Sequence, residues 1–228
     1  STVTGWGITG DRHGDLFGNS VSISADGNTV AIGASGNDRG ITSSDVNHGN
    51  VRVYKRSGSS WVNKGSDIED ANPGIGHGFG SCVSISADGN TVSIGATGAD
   101  APDANYNNNC GSTTVYTWNG ASWVIKGSAI YGLGPNDTSG KSVSISADGD
   151  TVVIGASNSS SEYGYAIIYD WNGSDWEERS RFSRSVEAVS GAIRFGTSVS
   201  LSAAGDVVAY GIPYYGSYDF GRVVIKEY

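Results

Sequence analysis

The chain of 228 residues has no methionine, only two cysteines, four prolines and three histidines, and its 14 basic residues face 23 acidic ones. Each scarcity removes a class of function. A net charge of −9 argues against nucleic acid as a partner, because phosphate binding needs a basic surface and the release of counterions. No apolar run approaches the ~20 residues that span a bilayer as a helix, and no basic amphipathic stretch is present to lie on one, so no membrane span is expected. With methionine absent and Ser1 in first place, the expectation is a secreted protein from which a leader has been cut.

What the chain does have is glycine, 35 residues of it, with abundant Val, Ile, Ser and Thr and little Leu. That balance favours short β-strands joined by tight turns. One block recurs four times: FGNSVSISADGNTVAIGA from Phe17, FGSCVSISADGNTVSIGA from Phe79, SGKSVSISADGDTVVIGA from Ser139 and FGTSVSLSAAGDVVAYGI from Phe195. The matched valines, Val21, Val83, Val143 and Val199, are 62, 60 and 56 residues apart. Repeats of this length bury their apolar faces against one another, so the chain reads as one repeat domain over 1–228, with units at approximately 17–70, 79–130, 139–183 and 195–228.

Within a unit, Val21 and Ile23 alternate with Ser22 and Ser24, the period-two signature of a strand. Ala25-Asp26-Gly27-Asn28 supplies a hairpin turn and Thr29 to Gly33 the second strand. A variable loop leads to a third strand at Val51–Tyr54, matched by Thr113–Tyr116 and Ala166–Tyr169, in which Tyr54, Tyr116 and Tyr169 are expected in the core. A second hairpin, marked by Gly58, Gly120 and Gly173, precedes a fourth strand opened by Trp61, Trp123 and Trp176. Four antiparallel strands in up-and-down order describe a propeller blade, so the expected fold is an all-β, four-bladed β-propeller of four-stranded antiparallel blades. The serines of the first strands (Ser22, Ser24, Ser84, Ser86, Ser144, Ser146, Ser200 and Ser202) are expected as small side chains near the axis.

The last unit stops after its third strand, GRVVIKEY, whereas Gly5 and Ile8 repeat the spacing of Gly65 and Ile68 in a fourth strand. Residues 1–10 are therefore expected to complete the last blade and close the ring, which removes open sheet edges. The same two half-blades could instead pair between molecules and generate a chain of subunits.

The order FGxSV, DG, IGA and GxVxVY resembles the FG-GAP repeats of integrin alpha-subunit propellers and of many microbial and algal secreted proteins. It fades at Ser139-Gly140 in the third unit and at Tyr210–Pro213 in the fourth, and the integrin propellers have seven blades where this chain has four units. The resemblance implies an extracellular, adhesive role. FG-GAP repeats often hold calcium in a DxNxDG loop, but here the turn shrinks to Asp26-Gly27-Asn28 and its counterparts, too few oxygens for a cation that takes six to eight. No metal site and no cofactor are expected; Asp100 and Asp103 are the one place considered for a weakly held ion.

Other candidate sites are sparse. Cys82 and Cys110 fall in one unit, and a disulfide between them is expected to constrain the unfolded chain by about 3 kcal/mol. Asn136, Asn158 and Asn172 begin Asn-x-Ser/Thr sequons in expected loops, where a glycan fits. Trp118 and Trp171 flank Asn-Gly turns where the first unit has Arg56; exposed they would stack on sugars, packed inward they are blade-edge core. His13, His48 and His77 are scattered and expected in exposed loops, with no nucleophile beside them, and Gly134–Ser142 leads into a strand where a phosphate cradle needs a helix. No carboxylate pair stands out as glycosidase machinery, so no catalytic residues are assigned. The functional expectation is a non-enzymatic extracellular structural or adhesion module acting through self-assembly or through a protein or glycan partner at the cell surface or matrix. A carbohydrate-binding lectin is the alternative, and a glycan-active enzyme the second alternative.

Overall fold

In a computed structural model, which describes residues 7–38, 46–102, 109–158, 163–183, 194–215 and 220–228, every Val-Ser-Ile-Ser block becomes the first strand of an antiparallel sheet. The first sheet runs β1 (Phe17–Ile23), β2 (Thr29–Ala34), β3 (Asn50–Ser57), β4 (Ser60–Asn63), with β5 (Ile68–Glu69) also on β3. The second runs β6 (Phe79–Ile85), β7 (Thr91–Ala96), β8 (Ser112–Trp118), with β9 (Trp123–Ile125) and β10 (Ile130–Tyr131) both paired to β8. The third is β11 (Ser142–Ile145), β12 (Thr151–Ala156), β13 (Tyr165–Trp171), β14 (Trp176–Ser183). The fourth is β15 (Val199–Leu201), β16 (Val207–Ile212), β17 (Arg222–Glu227). Among the described residues every regular element is a strand and no sheet closes on itself. Of the N-terminal strand expected over 1–10, residues 1–6 lie outside the described residues, and 7–10 carry no strand.

The first hairpin is held by its own polar groups. Ser24 Oγ donates to Asp26 Oδ1 at 2.6 Å and accepts from Thr29 N at 2.9 Å, while Asp26 also accepts from the amide and side chain of Asn28. Ser86 with Asp88 and Ser146 with Asp148 repeat the arrangement. Ser24, Ser86 and Ser146, which directly follow the first strands, are thus hairpin staples, a more specific duty than small size.

Period-two alternation also gives each sheet two unlike faces. The face toward the following sheet is small: Ser20, Ser22, Ala31 and Gly33, with Val51 and Val53 from β3 in register. The face toward the preceding sheet is large: Val83, Ile85, Val92, Ile94 and Tyr116 in the second sheet. These pack with Phe79 onto Ala31, Val51 and Val53 of the first. The third and fourth sheets meet in the same way, Val153, Ala166 and Ile168 against Phe195, Val208 and Tyr210. Tyr54 and Tyr116 are buried as expected, and Tyr169 packs at the edge of the third sheet's cluster.

Glycines set the spacing. A Cβ on Gly33 would lie 2.1 Å from the carbonyl oxygen of Gly80, on Gly95 2.1 Å from that of Gly140, and on Gly155 2.1 Å from that of Gly196. Gly80 itself sits in an irregularity of β6 with φ +87°, which a side chain would strain. The Phe-Gly pair is therefore the point at which one sheet's backbone touches the next.

The staples are acid-sensitive. Hydrogen bonds from Ser24 and Asn28 hold the Asp26 carboxyl at about 2, and the bond from Ser146 lowers that of Asp148. Burial pushes Asp88 up, but its bonds from Ser86 and Asn90 outweigh it and the group is also lowered. A carboxylate whose folded pKa is depressed contributes fully above its unfolded value of about 4 and loses that contribution as pH falls through the folded value. The urea midpoint is therefore expected to fall between about pH 4 and 2, and more shallowly in an Asp26→Asn/Asp148→Asn variant than in the wild type.

Candidate functional site

Three joints connect the four sheets, and each is built from the same polar contacts. Ser20 Oγ donates to Gly80 O at 2.7 Å and Ser142 Oγ to Gly196 O at 2.8 Å; Cys82 holds this position in the second sheet. Ser22, Ser84 and Ser144 accept from the amides of Ile85, Ile145 and Leu201, each at 3.1 Å. The amides of Ala25, Ala87 and Ala147 donate to the carbonyls of Ala87, Ala147 and Ala203. Parallel bridges pair Gly49 with Phe79, Gly111 with Ser139 and Gly164 with Phe195.

At the outer rim a cation from one sheet seats on rings of the next. Lys64 Nζ donates to Gly89 O at 2.6 Å and lies 5.6 Å over Trp118 and 5.2 Å over Trp123, whose Nε1 donates back to Lys64 O. Burial holds the Lys64 ammonium below its usual value. Lys126 repeats the clamp on Gly149 O, Trp171 and Trp176, and pairs with Asp150. In the third joint Arg179 reaches Gly205 O and lies 5.9 Å over Tyr228. Tyr228 occupies the place of Trp118 and Trp171, its amide bonding Asp206 O as theirs bond Asn90 O and Asp150 O. The two sugar-stacking candidates are thus half-buried rings in the joints, each with a lysine over it. The signal for this role was present in the sequence as the Lys-Gly of VNKGS and VIKGS.

The expected disulfide is not formed; Cys82 and Cys110 are free thiols. Cys82 lies on β6 and Cys110 just before β8, with β7 between them. Two strand spacings of about 4.8 Å put the chains beyond the ~7 Å Cα limit for a bridge. Cys110 Sγ instead faces Ala99 O, and Cys82 packs with Val143 and Ile154. Burial pushes both thiols up.

Asn136 is exposed, at φ +59°. Asn158 is exposed too, but Ser159 and Ser160 of its sequon lie outside the described residues. Asn172 is exposed in its hairpin, where Oδ1 accepts from Ser174 and Asp175 and Nδ2 donates to Glu177. Of the histidines only His13 is fully exposed, while His48 is half-buried. His77, expected in an exposed loop, is buried and its Nδ1 lies 3.1 Å from Asp70 Oδ2. Its loop packs where Asp15 and Asp137 cap the equivalent turns through the amides of Arg12 and Gly134. Asp100 anchors its loop by accepting from Asn109 N, as Asp38 does from Asn47 N, and Asp103 lies outside the described residues. Among the described residues no three His, Cys, Asp or Glu side chains come together as metal ligands.

Two hollows remain. A polar one of ≈ 210 Å³ in the first sheet is lined by Asp11, Asn50, Arg52, Asp67 and Glu69. Arg52 fills its chemistry, pairing with both Asp11 and Asp67, which holds the guanidinium charged and lowers the Asp11 carboxyl. The other hollow, ≈ 450 Å³, is lined by Thr197, Ser198, Gly211, Pro213, Gly221 and Val223 at the outer face of the fourth sheet.

That face and the opposite one are bare. Val21 and Ile23 are 64% and 58% exposed, where their counterparts Val83 and Ile85 are 6% and 7%. Val223 and Ile225 are both 69% exposed, where Val51 and Val53 are 0% and 3%. Leu16 and Phe220 add further exposed apolar surface to these two ends.

Two outcomes are expected from this geometry. Without reductant, the denatured protein takes up two equivalents of a thiol-alkylating reagent, read by mass, and the native protein reacts slowly at both cysteines. Replacing Lys126 by Met removes a cation–ring contact and a charged hydrogen bond, and a loss of about 1–2 kcal/mol in urea denaturation is expected.

Comparison with known proteins agrees with this architecture. Among solved structures, the hydrazine synthase of Kuenenia stuttgartiensis superposes with a TM-score of 0.56 at 14% identity, over 100% of this chain and 49% of that one. A putative 6-phosphogluconolactonase from Bacteroides uniformis gives 0.54 at 10% identity, over 90% of this chain and 52% of that one. The chain thus spans about half the length of these structures, and at such identities the likeness is one of fold. Curated protein sequences give no match. The family match falls on the first unit, with its Phe-Gly pair, hairpin and third strand: residues 11–54 match the FG-GAP repeat.

Proposed function

We propose that the protein is a non-enzymatic, extracellular structural or adhesive module, whose four sheets serve as propeller blades and whose work is association with other macromolecules. The observation that carries this reading is the pair of bare apolar end faces, Val21 with Ile23 and Val223 with Ile225. Contiguous exposed apolar surface of this kind marks an interaction site. A second support is the use of the polar side chains. Serines and aspartates staple hairpins, lysines clamp joints, and Arg52 pairs with Asp11 and Asp67 of a polar hollow. The activities for which the structural neighbours are named belong to those proteins. The lectin reading loses its main support with Trp118 and Trp171 engaged by lysines.

Beads coated with the protein are expected to adhere to one another or to cells under shear, while esters, lactones and glycosides are turned over only at background. Turnover that follows the protein through purification, or beads that behave as uncoated ones do, would contradict the proposal.

A further inference from the structure

We infer that the hollow at the outer face of the fourth sheet is the seat for Phe17-Gly18 of a second copy of this chain, so that molecules join head to tail by the same joint that connects their own sheets. The inference rests on the association reading above and names its partner.

The seat is identified by position. In the first sheet the segment Phe79-Gly80-Ser81 lies on Gly33, Gly49 and Val51: Gly80 O takes the Ser20 hydroxyl, Phe79 bridges Gly49, and Ser81 O takes the Asn19 amide. In the fourth sheet the corresponding residues are Ser198, Gly211, Gly221, Val223 and Thr197, and these line the hollow. Gly211 pairs with Val223 as Gly33 pairs with Val51, and Gly221 has φ +71° where Gly49 has φ +80°. A socket made of the residues that elsewhere hold a Phe-Gly segment holds none here.

The matching plug is at the other end. Gly18, with φ +91°, has the bulge conformation of Gly80, but a Cβ there would meet nothing, and Gly27 is open in the same way where Gly89, Gly149 and Gly205 press on Thr29, Thr91 and Thr151. The block FGNSVSISADGN at this end differs from FGSCVSISADGN of the second unit at two positions, so the surface that already docks on a first sheet is present a second time, undocked. In the new joint Ser198 donates to Gly18 O, Ser200 accepts from Ile23 N, and Ala203 N donates to Ala25 O, as their counterparts do inside the chain. Val21 and Ile23 then cover Val223 and Ile225.

The rim agrees on both sides. The clamp needs a cation on the leading sheet's fourth strand and a ring on the following sheet. The fourth sheet has no fourth strand among the described residues, and the first sheet carries Arg56 where Trp118, Trp171 and Tyr228 stand. A Lys facing Arg56 would be repulsive; with no cation on one side, and with Arg56 in place of one ring and only Trp61 of the pair left on the other, this joint has no clamp. Such a head-to-tail contact is heterologous, forming a ring if the rotation closes and a filament if it does not.

The test uses sedimentation velocity on the wild type and three variants: Ile23→Asp at the head, Ile225→Asp and Gly211→Ala at the tail. The nearest atom to a Cβ at Gly211 within the molecule is the Ser198 hydroxyl at 2.5 Å, which can rotate away, so Gly211→Ala is expected to keep the fold, yet that Cβ would strike Gly18 O of a docked copy as one on Gly33 would strike Gly80 O. The wild type is expected to associate with concentration to twice 23.5 kDa or more, and each variant alone to lose association. Mixing a head variant with a tail variant restores one good joint and is expected to yield a one-to-one heterodimer. A wild type that stays monomeric, whether closed on itself or open, overturns the inference. So do variants that associate like the wild type, or a mixture that stays monomeric. If the wild type is monomeric while coated beads still hold cells, this inference fails and the association reading stands.

Discussion

Everything in this molecule depends on how closely two sheets can approach at the Phe-Gly pair. The carbonyl of Gly80, Gly140 or Gly196 occupies the space where a Cβ on Gly33, Gly95 or Gly155 would be. That contact is backbone against backbone, so neither partner can yield by rotating a side chain. It sets the distance at which the serine hydroxyls reach the next sheet's carbonyls, the alanine amides line up along the hairpins, and valines of the third strand cover the next phenylalanine. Enlarge the glycine and each of these bonds is stretched together.

A joint of this kind has a direction. Its leading half is small and hydroxylic, its following half large and apolar, and one strand supplies both because successive side chains point to opposite faces. An open array built this way ends in one unfilled socket and one unused plug. Apolar residues that are core in the middle of the array, such as Val51 and Val83, become surface at its ends as Val223 and Val21. The unusual surface of the protein is therefore the ordinary interior of its repeat, exposed by position. Its acidic net charge opposes close approach of copies, so association is expected to strengthen as salt screens that repulsion.

Much of the fold was legible in the sequence because the repeat is strict where backbone geometry is strict. The alternation of Val21 to Ser24 gave the first strand, Asp26-Gly27 the hairpin, and Tyr116 the core position. The register irregularity at Phe79 to Cys82 was not legible, and with it the reason for the glycine. Cys82 and Cys110 looked pairable by their closeness along the chain, but the intervening strand separates them across the sheet. Trp118 and Trp171 could be read either as exposed rings or as blade-edge core, because the lysines that cover them come from the unit before, about 50 residues away, where only the recurring Lys-Gly marks them. His77 is buried because its loop packs where Asp15 and Asp137 cap equivalent turns, and only an alignment of loops of unequal length would have shown that. The bare ends were half visible: the missing fourth strand was clear, but the residues that fill the hollow's walls were known only once the sheets had been stacked.

One joint, repeated three times inside the chain, is expected a fourth time between chains. The most direct measurement is a density map of the wild-type particle at near-atomic resolution. Phe17 of one copy is expected beside Gly221 of the next, with the Ser198 hydroxyl on the Gly18 carbonyl. A map in which the hollow lined by Ser198, Gly211 and Gly221 is empty, or is filled by Phe17 of the same chain, would contradict it.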